Sequence, residues 1–64
     1  MNATRIKELM KEKGLTQKAL GELVGVSHVM IGYILSGLKI PSLSTLIAIA
    51  NALECTVDEI VVRG

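Results

Sequence analysis

The sequence predicts an all-α fold, a compact bundle of five short helices, from three observations. Apolar residues recur every three or four positions along most of the chain, which is the spacing of amphipathic helices. Glycines at positions 14, 25 and 37 divide the chain, and polar residues suited to N-caps follow these breaks. Half of the 64 residues are apolar and Tyr33 is the one aromatic, so we expect a single domain over residues 1–64 with an aliphatic core.

The first two helices are predicted from their caps and their apolar faces. The first begins at Asn2 or Ala3 and ends before Gly14, which suits a C-terminal cap. Its apolar face consists of Ile6, Leu9 and Met10. The second helix follows Thr16 as its N-cap and ends at Gly25. Its inward residues are Ala19, Leu20, Leu23 and Val24.

The third and fourth helices follow the same punctuation. Ser27 caps the third helix, which ends at Gly37. Its inward residues are Met30 or Ile31, Ile34 and Leu35. Pro41 and Ser42 open the fourth helix. Its buried stripe is predicted to comprise Leu43, Leu46, Ile47, Ile49, Ala50 and Leu53.

A short fifth helix is predicted near the C-terminal end. Thr56 and Glu59 have the spacing of a capping box, and the helix ends near Val61 or Val62. Cys55 precedes it and is interpreted as a half-buried filler, since free cysteine commonly packs as a small apolar residue. A single cysteine forms no internal disulfide, and the N-terminus has the pattern of a helix start rather than a signal peptide. We therefore expect a cytoplasmic protein.

The charge distribution favours the N-terminal half as the basic half. The net charge is +1; six basic and three acidic residues at 1–39 give +3, and one basic and three acidic residues at 40–64 give −2. Lys39 is the sole charge from Leu23 to Leu53, but glycine, serine and proline interrupt this stretch where helices end, which argues against a membrane span.

Catalysis finds no support in the residues. The chain has one histidine, no nucleophile with a base and no phosphate loop. His28 has no second histidine and no nearby cysteine or carboxylate at ligand spacing. We therefore expect no enzyme activity, no cofactor, no metal site and no small-molecule ligand.

The segment 16–34 carries the functional pattern, two short helices joined by a tight turn. Gly25 can adopt the left-handed conformation that ends the first of these helices, and Val26 can fill the space between them. Gly21 is small where the two helices would cross closely. This is the spacing of a helix-turn-helix, with the unit at about residues 16–36.

On these residues the chain resembles the phage repressor and Cro family, also called the Xre-like regulators. The similarity extends over nearly the whole chain. It is carried by Arg5–Leu9, Lys13–Gln17, Gly25–Ser27, Pro41–Leu43, Thr45–Leu46 and Asp58–Ile60. The resemblance implies a lambda-repressor-like five-helix fold. It also implies a transcriptional repressor that binds double-stranded DNA sequence-specifically, as a dimer on a palindromic operator.

The resemblance implies a set of DNA contacts. They are Gln17, Lys18, Ser27, His28, Val29, Tyr33, Ser36 and Lys39. Gln17 and the amides at its helix end would hold a phosphate, and Ser36 and Lys39 would grip the backbone. On the outward face of the third helix, His28 and Tyr33 would bond base edges and Val29 would meet a thymine methyl. The plainer alternatives are a solvated His28 beside the cap, and a Tyr33 that covers apolar surface.

The chain departs from the family pattern at two places. The family usually has arginine at the place of Met10 and glutamate at the place of Leu35, which form an ion pair. Both are apolar here, so we expect Met10 and Leu35 to touch, because exchanging a whole buried ion pair preserves a fold. The loop after the third helix is usually rich in lysine and arginine, but here reads Leu-Lys-Ile at 38–40. This predicts weaker DNA binding with a shallower salt dependence.

Two further interpretations concern the surface. The apolar run Ile60, Val61 and Val62 has little else in a short chain to cover it, so we expect it to form the dimer contact. The lysines from 7 to 13 are interpreted as the solvated face of the first helix, with a DNA contact as the alternative.

Val29 and the loop at 38–40 are apolar where a DNA-facing surface favours polarity. The alternative function is therefore a protein-interaction or self-association module with weak or lost DNA binding.

Overall fold

The computed structural model describes residues 1–61, and within them the chain is all-α. Its five helices are α1 (Ala3–Lys13), α2 (Gln17–Val24), α3 (His28–Ser36), α4 (Leu43–Ala52) and α5 (Val57–Val61). They pack into a body of 24 × 24 × 19 Å with a radius of gyration of 10.1 Å. The predicted fold class is confirmed, and the helix bounds agree with the predicted punctuation.

The first four helices begin with the same local hydrogen bond, which the start of α5 repeats. A side-chain oxygen of the N-cap residue accepts a backbone N–H three residues later, at 3.0 to 3.3 Å. The four caps are Asn2, Thr16, Ser27 and Ser42. Each such cap stabilises a helix by about 1 kcal/mol, so together they define where the helices start.

The capping box before α5 forms only in part. The Thr56 hydroxyl accepts the Glu59 N–H at 3.3 Å. The Glu59 carboxylate instead lies 3.6 Å from the Arg5 guanidinium on α1. A residue predicted to act locally therefore ties the first helix to the last.

The end of α4 differs from the ends of the first three helices. Those three end at glycines with positive φ, whereas α4 ends at Leu53 and is followed by Glu54 with a φ of 57°. The left-handed conformation costs a non-glycine residue roughly 1–2 kcal/mol. The Glu54 carboxylate is paired with the Lys13 ammonium at 2.9 Å, which links the ends of α4 and α1.

One aliphatic cluster forms the core of the described residues. It comprises Ile6, Leu9, Met10, Leu20, Ile31, Ile34, Leu35, Ile49, Ala50, Leu53 and Ile60. Met10 and Leu35 are both buried in it and border one shallow cavity between α1 and α3. Their direct contact stays a prediction.

Three residues predicted to point inward are exposed instead. They are Leu23 on α2 and Leu43 and Ile47 on α4. Helical spacing marks a stripe of apolar positions, but five short helices cover less of each helix than that stripe occupies. The prediction was wrong at these three positions because none of the described helices and loops covers the edge of the stripe.

The expectation for Ile60 was also wrong. Its side chain is 0% exposed, because α5 packs against both α1 and α4. Its carbonyl accepts the Asn2 N–H at 2.8 Å, which fixes the N-terminal end of α1 to α5. Ile60 is a core residue and is not available as a dimer contact. Val61 is 38% exposed, and Val62 lies outside the described residues.

Candidate nucleic-acid interface

A sharp corner between α2 and α3 organises the candidate site. The two helices are bent by 108° at the break between them, within the range of a helix-turn-helix. Joined together they would satisfy the length and composition of a membrane span, but no single helix among residues 1–61 does so.

Two glycines make this corner possible, as predicted. Gly25 has a φ of 80°, a left-handed conformation that glycine adopts at little cost. The N–H groups of Gly25 and Val26 both donate to the Gly21 carbonyl, at 2.8 and 2.9 Å. A Cβ added at Gly21 would lie 2.5 Å from the Val26 carbonyl oxygen. The turn therefore packs directly on the α2 backbone, and α3 is held at a fixed angle.

The outward face of α3 is exposed to solvent. Its inward residues Ile31, Ile34 and Leu35 are buried in the core. All eight residues proposed as DNA contacts from the sequence are exposed, and five of them belong to α3 or its N-cap. Val29 and Tyr33 expose 48% and 41% of their surface, so apolar and aromatic area faces outward beside His28.

The two serines in this set already make hydrogen bonds. The Ser27 hydroxyl oxygen accepts the Met30 N–H at 3.1 Å as the N-cap of α3, which leaves its own proton available to a phosphate. The Ser36 hydroxyl donates to the Tyr33 carbonyl at 3.1 Å. Ser36 can therefore donate to a phosphate only by giving up this bond.

The start of α2 offers backbone donors. Thr16 satisfies the Ala19 and Leu20 N–H groups through its hydroxyl and carbonyl oxygens, at 3.0 and 2.9 Å. The N–H groups of Gln17 and Lys18 belong to the first turn, where an α-helix supplies no acceptor. These two residues can therefore present both side chains and amides to one anion.

Gln17 also connects α2 with the two neighbouring helices. A Cβ added at Gly32 would lie 3.2 Å from the Gln17 side-chain oxygen, so Gln17 reaches over the exposed face of α3. Gln17 further borders a shallow cavity of about 240 Å³ beside α1, together with Lys7 and Lys11. The sequence did not indicate this neighbourhood, since it depends on how α1 crosses the corner.

The loop after α3 folds back on Tyr33. The N–H groups of Leu38 and Lys39 both donate to the Tyr33 carbonyl, at 2.9 and 3.2 Å. The three residues border a second shallow cavity of about 410 Å³. Leu38 and Ile40 are 74% and 88% exposed, so the loop carries one cation between two solvent-facing aliphatic side chains.

Comparison with known proteins identifies the family. The sequence profile described as helix-turn-helix matches residues 6–60. The chain belongs to the helix-turn-helix family. No curated protein sequence matches the chain significantly.

The fold is also similar to a solved helix-turn-helix structure, the crystal structure of the P22 c2 repressor protein in complex with synthetic operator 9T in the presence of Tl⁺. The TM-score is 0.86 and the sequence identity 34%, over 91% of this chain and 88% of that chain. The predicted resemblance to phage repressors is thus confirmed.

Proposed function

We propose that this protein binds double-stranded DNA sequence-specifically, as a transcriptional repressor whose α3 enters the major groove. The observation that carries the proposal is the likeness to a repressor in complex with an operator, which extends over 91% of the chain. The exposed outer face of α3 supports it, because the corner holds that face clear of the remaining helices. A helix held in this way suits the major groove in width and in reach.

Each exposed side chain takes a role that its chemistry allows. His28 and Tyr33 carry hydrogen-bonding groups for base edges, and Val29 offers a methyl surface to a thymine. Gln17 and Lys18 hold a phosphate at the start of α2, aided by their amides. The remaining backbone contacts come from Ser27, Ser36 and Lys39.

Two copies are needed for useful affinity. The nine residues of α3 span about 13.5 Å, which reaches one half-site only. We propose a homodimer on a palindromic operator, with Val61 and Val62 in its contact in place of the buried Ile60. A dimer then places the two recognition helices about one DNA turn apart, roughly 34 Å.

A second candidate is a self-association or protein-interaction module. The exposed Leu38 and Ile40 beside the proposed DNA face favour it, since contiguous apolar surface marks partner sites. Under this alternative the α3 face and the following loop dock another protein or a second copy.

Selection from random duplex DNA distinguishes the two candidates. The enriched sequence is measured by fluorescence anisotropy across a salt series, with Val29→Asp as the test variant. Asn51→Asp on α4 is the matched control, because it adds the same charge at an exposed position away from α3. A palindromic sequence that wild type and control bind, and Val29→Asp does not, supports the repressor. No enrichment, together with self-association that Val29→Asp abolishes, overturns it.

A further inference from the structure

We infer that the shallow groove between α1 and α3 is an additional phosphate site, which extends the DNA interface onto α1. It is bordered by Lys7, Met10, Lys11, Leu15, Gln17 and Leu35, and we call it the lysine groove. The inference rests on the proposed DNA-binding function and names Lys7 and Lys11 as cations that contact the duplex backbone.

Charge is segregated around α1. Lys7 and Lys11 are one turn apart and share a stripe next to the buried Met10, while Glu8 and Glu12 occupy a stripe about 100° further round. Both glutamates lie on the side of Arg5. The carboxylate of Glu8 is 3.2 Å from the Arg5 guanidinium and Glu12 attracts the same group. The acidic side chains therefore lie away from the groove.

Arg5 and the two groove lysines differ in whether an acidic side chain pairs with them. The hydrogen bond to Glu8 is the largest effect and raises the pKa of Arg5; desolvation opposes it, and the charges of Glu59 and Glu12 raise the pKa further. Among residues 1–61 neither Lys7 nor Lys11 is in an ion pair. Among the described residues that line it, the lysine groove therefore has two cations and no carboxylate.

The floor of the groove is apolar. Met10 and Leu35 are buried beneath it, and Leu15 completes the wall. Aliphatic stems of lysine lie well along such a surface while their ammonium groups stay in water. The described residues of the floor include no acidic group, so the ammonium groups can bind an anion from outside.

Gln17 makes the groove continuous with the recognition face. Its side-chain oxygen lies over Gly32 of α3, and the same residue borders the groove. A duplex that contacts α3 and Gln17 would therefore lie beside the cavity that Lys7 and Lys11 also border. The groove is shallow and its lysines are exposed, which suits a polyanion bound through counterion release rather than a small anion that must be desolvated.

The test compares three lysines of the same helix. Lys7→Gln, Lys11→Gln and the double variant are measured against Lys13→Gln, whose side chain is paired with Glu54 instead. The probes are a labelled duplex of the selected sequence and a scrambled duplex of equal length. Fluorescence anisotropy at several salt concentrations gives the slope of log K against log salt.

We expect each single substitution, Lys7→Gln or Lys11→Gln, to reduce the magnitude of the slope by about 0.9, and the double variant to reduce it by about 1.8. That corresponds to an affinity loss of about eightfold per lysine at 0.1 M salt relative to 1 M. The loss should be equal on both duplexes, the selected sequence unchanged, and thermal unfolding by circular dichroism unaffected. Lys13→Gln should keep the wild-type slope.

The outcomes separate the inference from the function on which it rests. A double variant with the wild-type slope, while Lys39→Gln lowers it, overturns the phosphate site and leaves the proposed function intact. An equal loss in Lys13→Gln also overturns it, because the effect would then be one of net charge. A wild-type protein that binds neither duplex overturns both.

Discussion

Adding one methyl group at Gly21 should loosen the corner on which the proposed function depends. A Cβ at Gly21 would lie 2.5 Å from the Val26 carbonyl oxygen, 0.9 Å inside the 3.4 Å at which ordinary contact begins. The turn cannot retreat freely, because the Gly25 and Val26 N–H groups are bonded to the Gly21 carbonyl. Relief therefore requires a shift of backbone or the loss of one of these bonds.

The magnitude follows from two opposing effects. Overpacking costs about 1–3 kcal/mol, and here the obstacle is backbone, so the upper end applies. Alanine in place of glycine inside a helix stabilises the helix by about 1 kcal/mol. We expect Gly21→Ala to lose about 2 kcal/mol net, which lowers Tm by roughly 8–16 °C in a domain of this size. A 64-residue domain has only about 3–10 kcal/mol of stability in total.

Gly32→Ala is the matched control for this experiment. Gly32 is also helical, but the nearest atom to its added Cβ is the end of the flexible Gln17 side chain, at 3.2 Å. Alanine should therefore stabilise α3 by up to about 1 kcal/mol. Thermal and urea unfolding followed by circular dichroism measure both variants. If Gly21→Ala is as stable as Gly32→Ala, the turn relaxes easily and the argument for a rigid corner is refuted.

Three further outcomes follow from the described contacts. Ile60→Ala should destabilise by about 2–5 kcal/mol in urea unfolding while the exposed Val61→Ala changes stability by less than about 0.5 kcal/mol; equal effects would contradict a core role for Ile60. Glu54→Gly should stabilise the protein by up to about 1 kcal/mol in the same assay. Glycine avoids the steric cost of the left-handed conformation, and this gain exceeds the contribution of the exposed ion pair with Lys13; a loss of stability would show that the ion pair contributes more. Burial, and then Glu59, raises the pKa of the Cys55 thiol, so its alkylation at pH 8 should be slower than that of a free thiol and should accelerate in urea; an equal rate in both states would contradict this.

The lysine groove alters what the sequence predicts about DNA affinity. The loop at 38–40 has few positive charges, since Lys39 is the one cation there, and this predicts weak DNA binding with a shallow salt dependence. Two further phosphate contacts on α1 would increase the magnitude of the slope of log K against log salt by about 1.8. Lys7 and Lys11 on the first helix would then match in number Lys18 and Lys39, the lysines proposed as DNA contacts from the sequence.

Much of the fold was predictable because its signals are local. An N-cap such as Ser27 bonds a residue three positions away, and a left-handed glycine such as Gly25 acts on its own turn. These interactions need no knowledge of the remaining chain, so helix starts and ends were placed within a residue or two. Gly21 was likewise readable, since its role depends on the turn that directly follows it.

The eight residues of the candidate site were proposed from the sequence and their role as DNA contacts stays a prediction, whereas their surroundings were not foreseen. The eight proposed contacts are exposed because residues opposite to a buried helical stripe face solvent. From the sequence, Lys7 and Lys11 were interpreted as ordinary solvated charges. Their position beside Gln17 depends on the crossing of α1 over the corner, which joins residues far apart in the chain.

The sequence by itself determined the five helices, the glycine corner and the apolar faces, since each arises from residues within one or two helical turns. Tertiary structure alone decided which apolar side chains are covered. Ile60 is buried because α1 and α4 enclose it, while Leu43 is exposed because no element among residues 1–61 packs over its edge of α4. It also decided that Glu59 pairs with Arg5 rather than completing its own capping box. Burial and pairing depend on which distant surfaces meet, and that information is spread over the whole chain.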